Sequence, residues 1–292
     1  LLRTETTDLR RKIAFEEGKF GQIKYYASLV FNRMMARPWV CASVRFLDYR
    51  FLKNNVYPAL FEKYKPDLVF YVHLFSLAET HLLREAKRRG IKTVGFMNSW
   101  DKTTARSLLR LLPDVMLVYN NIVKKELAKY HDMTEADIVV TGIPQYDRYF
   151  KRNILPRSEF FRKINTDPAK KLIVYAPAGK DASSYDWDVI DMLQDFKDKE
   201  KFGRDVGMLV RFQPNDYIDM DELKRRPYLK YDYPGIRFSV KRGVDWDMSS
   251  ADFEHLTNTL AHMSLLICYG SSLLVDAAIF DKPVIIPNYE MK

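Results

Sequence analysis

The sequence predicts an α/β protein built from two doubly wound halves that face a cleft, and three observations lead there. Short apolar runs alternate with amphipathic segments from about residue 66 to 142. The same alternation restarts at about 171 and continues to 287. Between them lies a polar, charged stretch carrying Pro156 and Pro168. Strands covered by helices on both faces read as continuous apolar runs, which is what these segments show. The expected division is 1–150 for the first half, 151–170 for a linker and 171–292 for the second half. Two such halves place a ligand at the carboxyl ends of their strands.

Residues 1 to about 64 lack strand signals and are rich in basic and aromatic residues. Tyr25, Tyr26, Leu29, Val30, Phe31, Met34 and Met35 recur at helical spacing, flanked by Lys24, Arg33 and Arg37. That segment reads either as a core-facing helix or as one that lies on a membrane surface or acceptor. Pro66 to Val72 follows as a strand, Leu77 to Arg89 as a helix with Gly90 at its C-terminal end, and Ile91 to Met97 as a second strand. Asp114 to Tyr119 and Asp137 to Thr141 are further strands around a helix that ends near Tyr130. In the second half, Lys171 to Ala176, Gly207 to Phe212, Ile236 to Val240, Ser264 to Cys268 and Pro283 to Pro287 read as strands. Trp187 to Phe196 and Phe253 to His262 read as helices between them.

Composition narrows the class. The 292 residues are 47% apolar, as in a globular protein. No apolar run reaches the roughly 20 residues that span a bilayer. There is no signal peptide pattern, so the expected location is cytoplasmic. The chain opens on Leu1 without a Met and stops at Lys292 just past a strand, which suggests truncation at both ends. Cys41 and Cys268 stand far apart and suit a reducing compartment. The histidines and cysteines show no metal-ligand spacing, so neither a metal nor a tightly held cofactor is expected. A net charge of +9 points to an anionic partner, either phosphorylated substrates or an anionic membrane surface. No nucleic-acid motif is present, and clusters such as Lys87-Arg88-Arg89 read as solvated helix faces.

Five motifs can carry chemistry. Leu265 to Cys268, then Tyr269-Gly270-Ser271-Ser272, then a helix through Ala278, reads as strand, tight turn and helix. Two hydroxyls and unpaired N–H groups at a helix start suit a phosphate, with Asp276 one turn on placed to reach a sugar. The alternative is that Ser271 only caps the helix. Asn98-Ser99-Trp100-Asp101-Lys102-Thr103-Thr104 follows a strand directly. Asp101 there can act as a general base on an acceptor hydroxyl, and Lys102 and Thr103 can bind phosphate. Thr141-Gly142-Ile143-Pro144-Gln145 is a stiff turn at a strand end. Pro177-Ala178-Gly179-Lys180-Asp181 lets backbone approach a ligand and offers Lys180 to a diphosphate, though it is not a P-loop. Val210-Arg211-Phe212-Gln213-Pro214 sets Arg211 and Gln213 at another strand end. His73, also at a strand end, is a second candidate base. The Asp-x-Asp pairs at 186/188, 219/221 and 245/247 begin probable helices and read as caps, not metal ligands.

Taken together, these motifs resemble the GT-B glycosyltransferase superfamily. They come nearest the group holding the CDP-glycerol glycerophosphotransferases, surface-polysaccharide transferases and UDP-sugar 2-epimerases. The resemblance spans about residues 66 to 287 and implies two Rossmann-like domains in the GT-B manner. Ser-Ser, three residues, an acidic residue and Ala, then Lys282-Pro283-Val284-Ile285, is similar to the donor-nucleotide half of that fold, with Asp276 where Glu is usual. The Ser99-Trp100-Asp101 loop is similar to Ser-Trp-Asp-Asn loops of surface-carbohydrate transferases, with Lys102 in place of Asn. Glycerophosphotransferases carry a His in that region and an Arg-x-His-Pro later. This chain has neither His, Gln213 standing for the second.

What the resemblance implies is transfer of a glycosyl group from a nucleotide-diphosphate sugar to a glycan or lipid-linked acceptor, without metal, in surface-polysaccharide synthesis. Ser271, Ser272, Asp276, Arg211, Gln213, Gly179 and Lys180 hold the donor in that reading. Asp101 or His73 is the base, and Ser99, Trp100, Lys102, Thr103 and Gln145 meet the acceptor. The rivals are a UDP-sugar 2-epimerase-like enzyme, a glycerophosphotransferase and a non-catalytic nucleotide-sugar binding protein.

Overall fold

A computed structural model describes residues 4–16, 18, 20–53, 57–151, 153–180, 183–238 and 246–287. The chain divides into two units, Leu1–Pro144 and Gln145–Lys292.

The first unit opens with helices α1 (Glu5–Glu16), α2 (Gly21–Met35), α3 (Pro38–Phe51) and α4 (Pro58–Tyr64). Pro38 and Pro58 sit at the first turns of α3 and α4, where a missing N–H costs nothing. Then come β1 (Leu68–Tyr71), α5 (Leu77–Arg88), β2 (Lys92–Phe96), α6 (Lys102–Ala105), β3 (Val115–Val118), α7 (Asn121–His131) and β4 (Ile138–Val140). The four strands are parallel in the order β1-β2-β3-β4. Their apolar side chains meet those of α5 and α7 in a core of Tyr71, Leu83, Met97, Met116, Val118, Leu127 and Ile138. Gly90 and Gly142 take φ of +68° and +79°, so both turns require a residue without Cβ strain.

The helix expected around Tyr25–Met35 forms as α2, but it does not turn its apolar side chains inward. Ile23, Tyr26, Val30, Phe31 and Met34 are exposed, and Gly21 and Asn32 are the buried residues. Its apolar residues occur nearly all round the helix, and α1 covers only part of it.

The second unit contains α8 (Asp147–Phe150), α9 (Arg157–Lys163), β5 (Lys171–Ala176), α10 (Asp186–Asp198), β6 (Val206–Arg211) and α11 (Met220–Lys224). Strands β7 (Tyr231–Asp232), β8 (Ile236–Arg237) and β9 (Trp246–Asp247) follow, then α12 (Ser250–His262), β10 (Leu265–Cys268), α13 (Leu273–Ile279) and β11 (Val284–Ile285). Five strands form a parallel sheet in the order β11-β10-β5-β6-β7, and β8 pairs with β9 antiparallel. The chain builds outward from β5 through β6 to β7, then crosses back to lay β10 on the other side of β5. That reversal makes the gap above β5 and β10 the topological switch point, where a doubly wound sheet leaves room for a ligand. Of the expected Ile236–Val240 strand, residues 236 and 237 are strand and residues 239–245 lie outside the described residues.

The polar stretch expected to link the halves contains α9, whose Phe160 and Phe161 are fully buried. Arg157 stacks on Phe161 at 4.0 Å and donates to the carbonyls of Pro168 and Lys170. A guanidinium satisfied by carbonyls and laid on a ring ties down a segment whose composition alone reads as loop.

Candidate functional site

In the second unit, two loops meet the switch point. Cys268, the last residue of β10, pairs with Ala176, the last of β5, so residues 177–180 and 269–272 leave the sheet side by side. Ser271 and Ser272 are exposed. The Ser271 hydroxyl accepts the N–H of Leu273 at 3.3 Å, while Ser272 makes no side-chain cap. The N–H groups of Leu274 and Val275 go to the carbonyls of Ser271 and Ser272, so fewer amides are open here than the sequence suggests.

The 177–180 loop is held by carboxylates. Asp186 accepts the N–H groups of Ala178 at 3.1 Å and Gly179 at 2.7 Å, and Asp216 accepts that of Lys180 at 2.9 Å. Gly179 is buried at φ +89°, and Lys180 is exposed. Gln213 donates to the carbonyls of Ala178 at 2.6 Å and Pro177 at 3.4 Å. Gly179 and Gln213 therefore shape the loop, which leaves Lys180 as its exposed cation. Burial raises the Asp186 carboxyl above the usual range, and its bonds to Gly179 and Ala178 oppose that. Asp181 and Asp245 lie outside the described residues. Asp219 is the N-cap of α11, accepting from Asp221 and Glu222 as a capping Asp should.

Beside these loops the unit buries a charged cluster. Arg211 and Asp232 are partners across β6 and β7, so their side chains lie together and pair at 3.3 Å. Arg211 is 7% exposed, not the surface arginine its position after a strand implies. Burial pulls its pKa down, and Asp232 pulls it back. Asp232 also meets His255 Nε2 at 2.8 Å. Asp276 is buried and accepts the hydroxyl of Tyr149 at 2.9 Å. Burial raises its carboxyl, with Tyr149, Arg148 and Arg211 opposing. Arg211 and Asp276 thus make a charged floor instead of reaching outward. Sequence reading missed Tyr149, Asp232 and His255; the aromatic at 149 and the acid at a strand end were the available signals.

In the first unit, the segment after β2 holds the other candidates. Asp101 is exposed, and the Ser99 hydroxyl donates to its carboxylate. Lys102 donates to Asn98 Oδ1 at 2.7 Å. Burial, then Arg106, lowers the Lys102 ammonium, with Asp101 and Glu79 opposing. Trp100 is exposed. Thr103 is fully buried and gives its hydroxyl to Glu126, so it anchors α6 instead of facing a ligand. His73 is exposed on the loop after β1, its backbone N–H bonded to Glu79 at 2.7 Å. Gln145, at the start of the second unit, is exposed, and its carbonyl accepts from Arg148.

His131 fixes α6 from beneath. It is fully buried, accepting Leu109 N–H at Nδ1 (3.1 Å) and bonding the Thr103 carbonyl through Nε2 (2.8 Å). That pair of contacts requires the neutral imidazole with its proton on Nε2. Burial lowers its pKa from 6.5 to about 4, against the Thr103 bond that raises it. The unfolded chain therefore takes up the proton first. The stabilisation is whole above pH 6.5 and is lost as pH falls from 6.5 to about 4, a change on the order of 3 kcal/mol. Denaturant unfolding of wild type and His131→Gln across pH 7 to 4.5 should show this loss in wild type and a smaller one in the variant.

No group of three or more His, Cys, Asp or Glu is placed to hold a metal ion among the described residues. No helix is long and apolar enough to cross a membrane among them.

No curated protein sequence matches this chain. Among solved structures, it is similar to S. aureus MnaA in its UDP co-structure, at 10% identity and TM-score 0.51, over 85% of this chain and 63% of that one. A UDP-N-acetylglucosamine 2-epimerase described as putative, from Listeria monocytogenes, is similar at 11% identity and TM-score 0.53, over 85% and 62%. The UDP-GlcNAc 2-epimerase of Methanocaldococcus jannaschii is similar at 13% identity and TM-score 0.51, over 85% and 66%. This chain thus spans less than two thirds of each of them. At such identities the likeness is one of fold, and it agrees with two Rossmann-like units of GT-B type. The model of the family described as CDP-glycerol:poly(glycerophosphate) glycerophosphotransferase matches residues 86–292, and the chain belongs to that family.

Proposed function

We propose that this chain is a transferase that takes a nucleotide-diphosphate-linked donor in its second unit and delivers the linked group to an acceptor hydroxyl near Asp101. The observation that carries the reading is the switch point: β5 and β10 bring exposed Lys180, Ser271 and Ser272 to neighbouring loops above a buried Arg211. Hydroxyls and an ammonium can meet the diphosphate, and the fixed charges lower the cost of its leaving without a metal. In glycosyl transfer the acceptor oxygen attacks the anomeric carbon, the bond to the diphosphate breaks, and Asp101 takes the hydroxyl proton. The acceptor is a glycan or lipid-linked molecule of surface-polysaccharide synthesis. Exposed Tyr26, Val30, Phe31 and Met34, beside Lys24 and Arg33, support peripheral contact with an anionic membrane at its cytoplasmic face.

A second reading is favoured by the family match: transfer of glycerophosphate. There the acceptor oxygen attacks the phosphorus nearer glycerol and a nucleoside monophosphate leaves. The loop around Asp101 lacks the His that the resemblance expects in that region, and Gln213 stands where it expects another, which weighs against it. The leaving group separates the readings. CDP-, UDP-, GDP- and ADP-linked sugars and CDP-glycerol are incubated with the protein, with and without a lipid-linked glycan acceptor. Acceptor-dependent nucleoside diphosphate supports glycosyl transfer, and monophosphate supports glycerophosphate transfer. An epimerised sugar formed without acceptor, or no turnover of any donor, contradicts the transferase.

A further inference from the structure

The first unit carries a cavity of about 500 Å³ that no motif announces. Helix α1 contributes Thr7, Arg10 and Arg11, the loop after β1 contributes His73, and the segment after α6 contributes Arg106 and Ser107. The arrangement is built. Thr4, just before α1, donates its hydroxyl to the carbonyl of Thr104, and α1 packs on α6. Three guanidiniums and an imidazole, from three separate segments of the chain, therefore reach one space.

Their charge is only partly answered. Asp8 pairs with Arg11 at 2.6 Å, and Glu79 takes the backbone N–H of His73. Neither Arg10 nor Arg106 forms a salt bridge among the described residues. Like charges held together repel, and an anion in their midst reverses the sign of that energy. Guanidinium forks match phosphate oxygens in pairs, and the exposed hydroxyl of Ser107 adds a neutral donor. The volume suits a phosphate with a short organic body.

We infer that this cavity binds a phosphate group carried by the acceptor. That chemistry is shared by a phosphorylated glycan or polymer end and by a lipid-linked phosphate. Its role as an acceptor site rests on the transferase reading, whereas its affinity for phosphate does not.

The test is a titration of the whole chain with glycerol 3-phosphate and inorganic phosphate, with CDP and UDP present to fill the nucleotide site. Phosphatidylcholine vesicles with and without phosphatidate form a second arm. Wild type is compared with an Arg10→Ala/Arg106→Ala double variant and its Arg→Lys counterpart, each checked by circular dichroism. The expected result is at least tenfold weaker phosphate binding in the Ala pair, partial recovery in the Lys pair, and unchanged nucleotide affinity. Loss of vesicle binding alone in the Ala pair assigns the phosphate to a lipid headgroup. Equal affinity of wild type and Ala pair for every probe overturns the inference and leaves the transferase reading standing. Absence of nucleotide binding in all variants sinks the transferase reading, and an arginine-dependent phosphate affinity then still upholds the cavity.

Discussion

Asp101→Asn is expected to lower turnover by about 10²–10⁴-fold while nucleotide affinity stays unchanged. Asp101 is exposed at the carboxyl end of β2, and Ser99 holds its carboxylate in one orientation. Asn keeps the size and still accepts from Ser99, but it cannot take a proton from a hydroxyl. The loop beneath is pinned independently by Thr103, Glu126 and His131, so the substitution removes the proposed base without loosening its support. Single-turnover rates with saturating donor and acceptor check this. A rate within threefold of wild type removes Asp101 from the chemistry and turns attention to His73.

The largest stability effect is expected at Asp48. Its carboxylate on α3 accepts from Arg84 on α5 and from Arg110, whose Nε lies at 2.8 Å. Arg84 is 1% exposed, and its Nε has no hydrogen-bond partner among the described residues. Removing one partner of a buried pair strands the other charge, at a cost of about 3–5 kcal/mol. Asp48→Ala should therefore unfold the first unit at much lower urea. Asp221→Ala is the control: it breaks an exposed pair with Lys224 and should shift stability by less than about 1 kcal/mol. Equal midpoints for the two variants contradict the account of this core.

Much of the fold was legible because each strand is a short apolar run and each helix has a periodic face. Leu172–Tyr175 and Leu265–Cys268 could be read without knowing their neighbours. Their pairing could not, since the order β11-β10-β5-β6-β7 is set by contacts about 90 residues apart in sequence. The candidate site was half legible for the same reason. A Gly-Ser-Ser turn after a strand points to a candidate ligand position, and the switch point falls there. What the turn's amides do depends on Asp186 and Asp216, which reach the neighbouring loop from α10 and from the segment after β6. Arg211 and Asp276 look like ligand contacts when read locally. Their partners Asp232 and Tyr149 arrive from other elements and bury them. Segment 151–170 reads as loop because its charged residues outnumber Phe160, Phe161 and Ile164, the apolar residues that bury there. The three arginines of the first unit's cavity lie on segments that meet only when α1 folds onto α6.

The central claim, a nucleotide-diphosphate site in the second unit, is tested most directly by calorimetric titration with UDP, CDP, GDP and ADP, with and without magnesium. The expected result is metal-independent binding of one of them. Ser271→Ala/Ser272→Ala should weaken it at least tenfold, since each hydrogen bond to a charged phosphate contributes about 1.5–3 kcal/mol. Binding of none of the four, or binding that the double substitution leaves intact, contradicts the account.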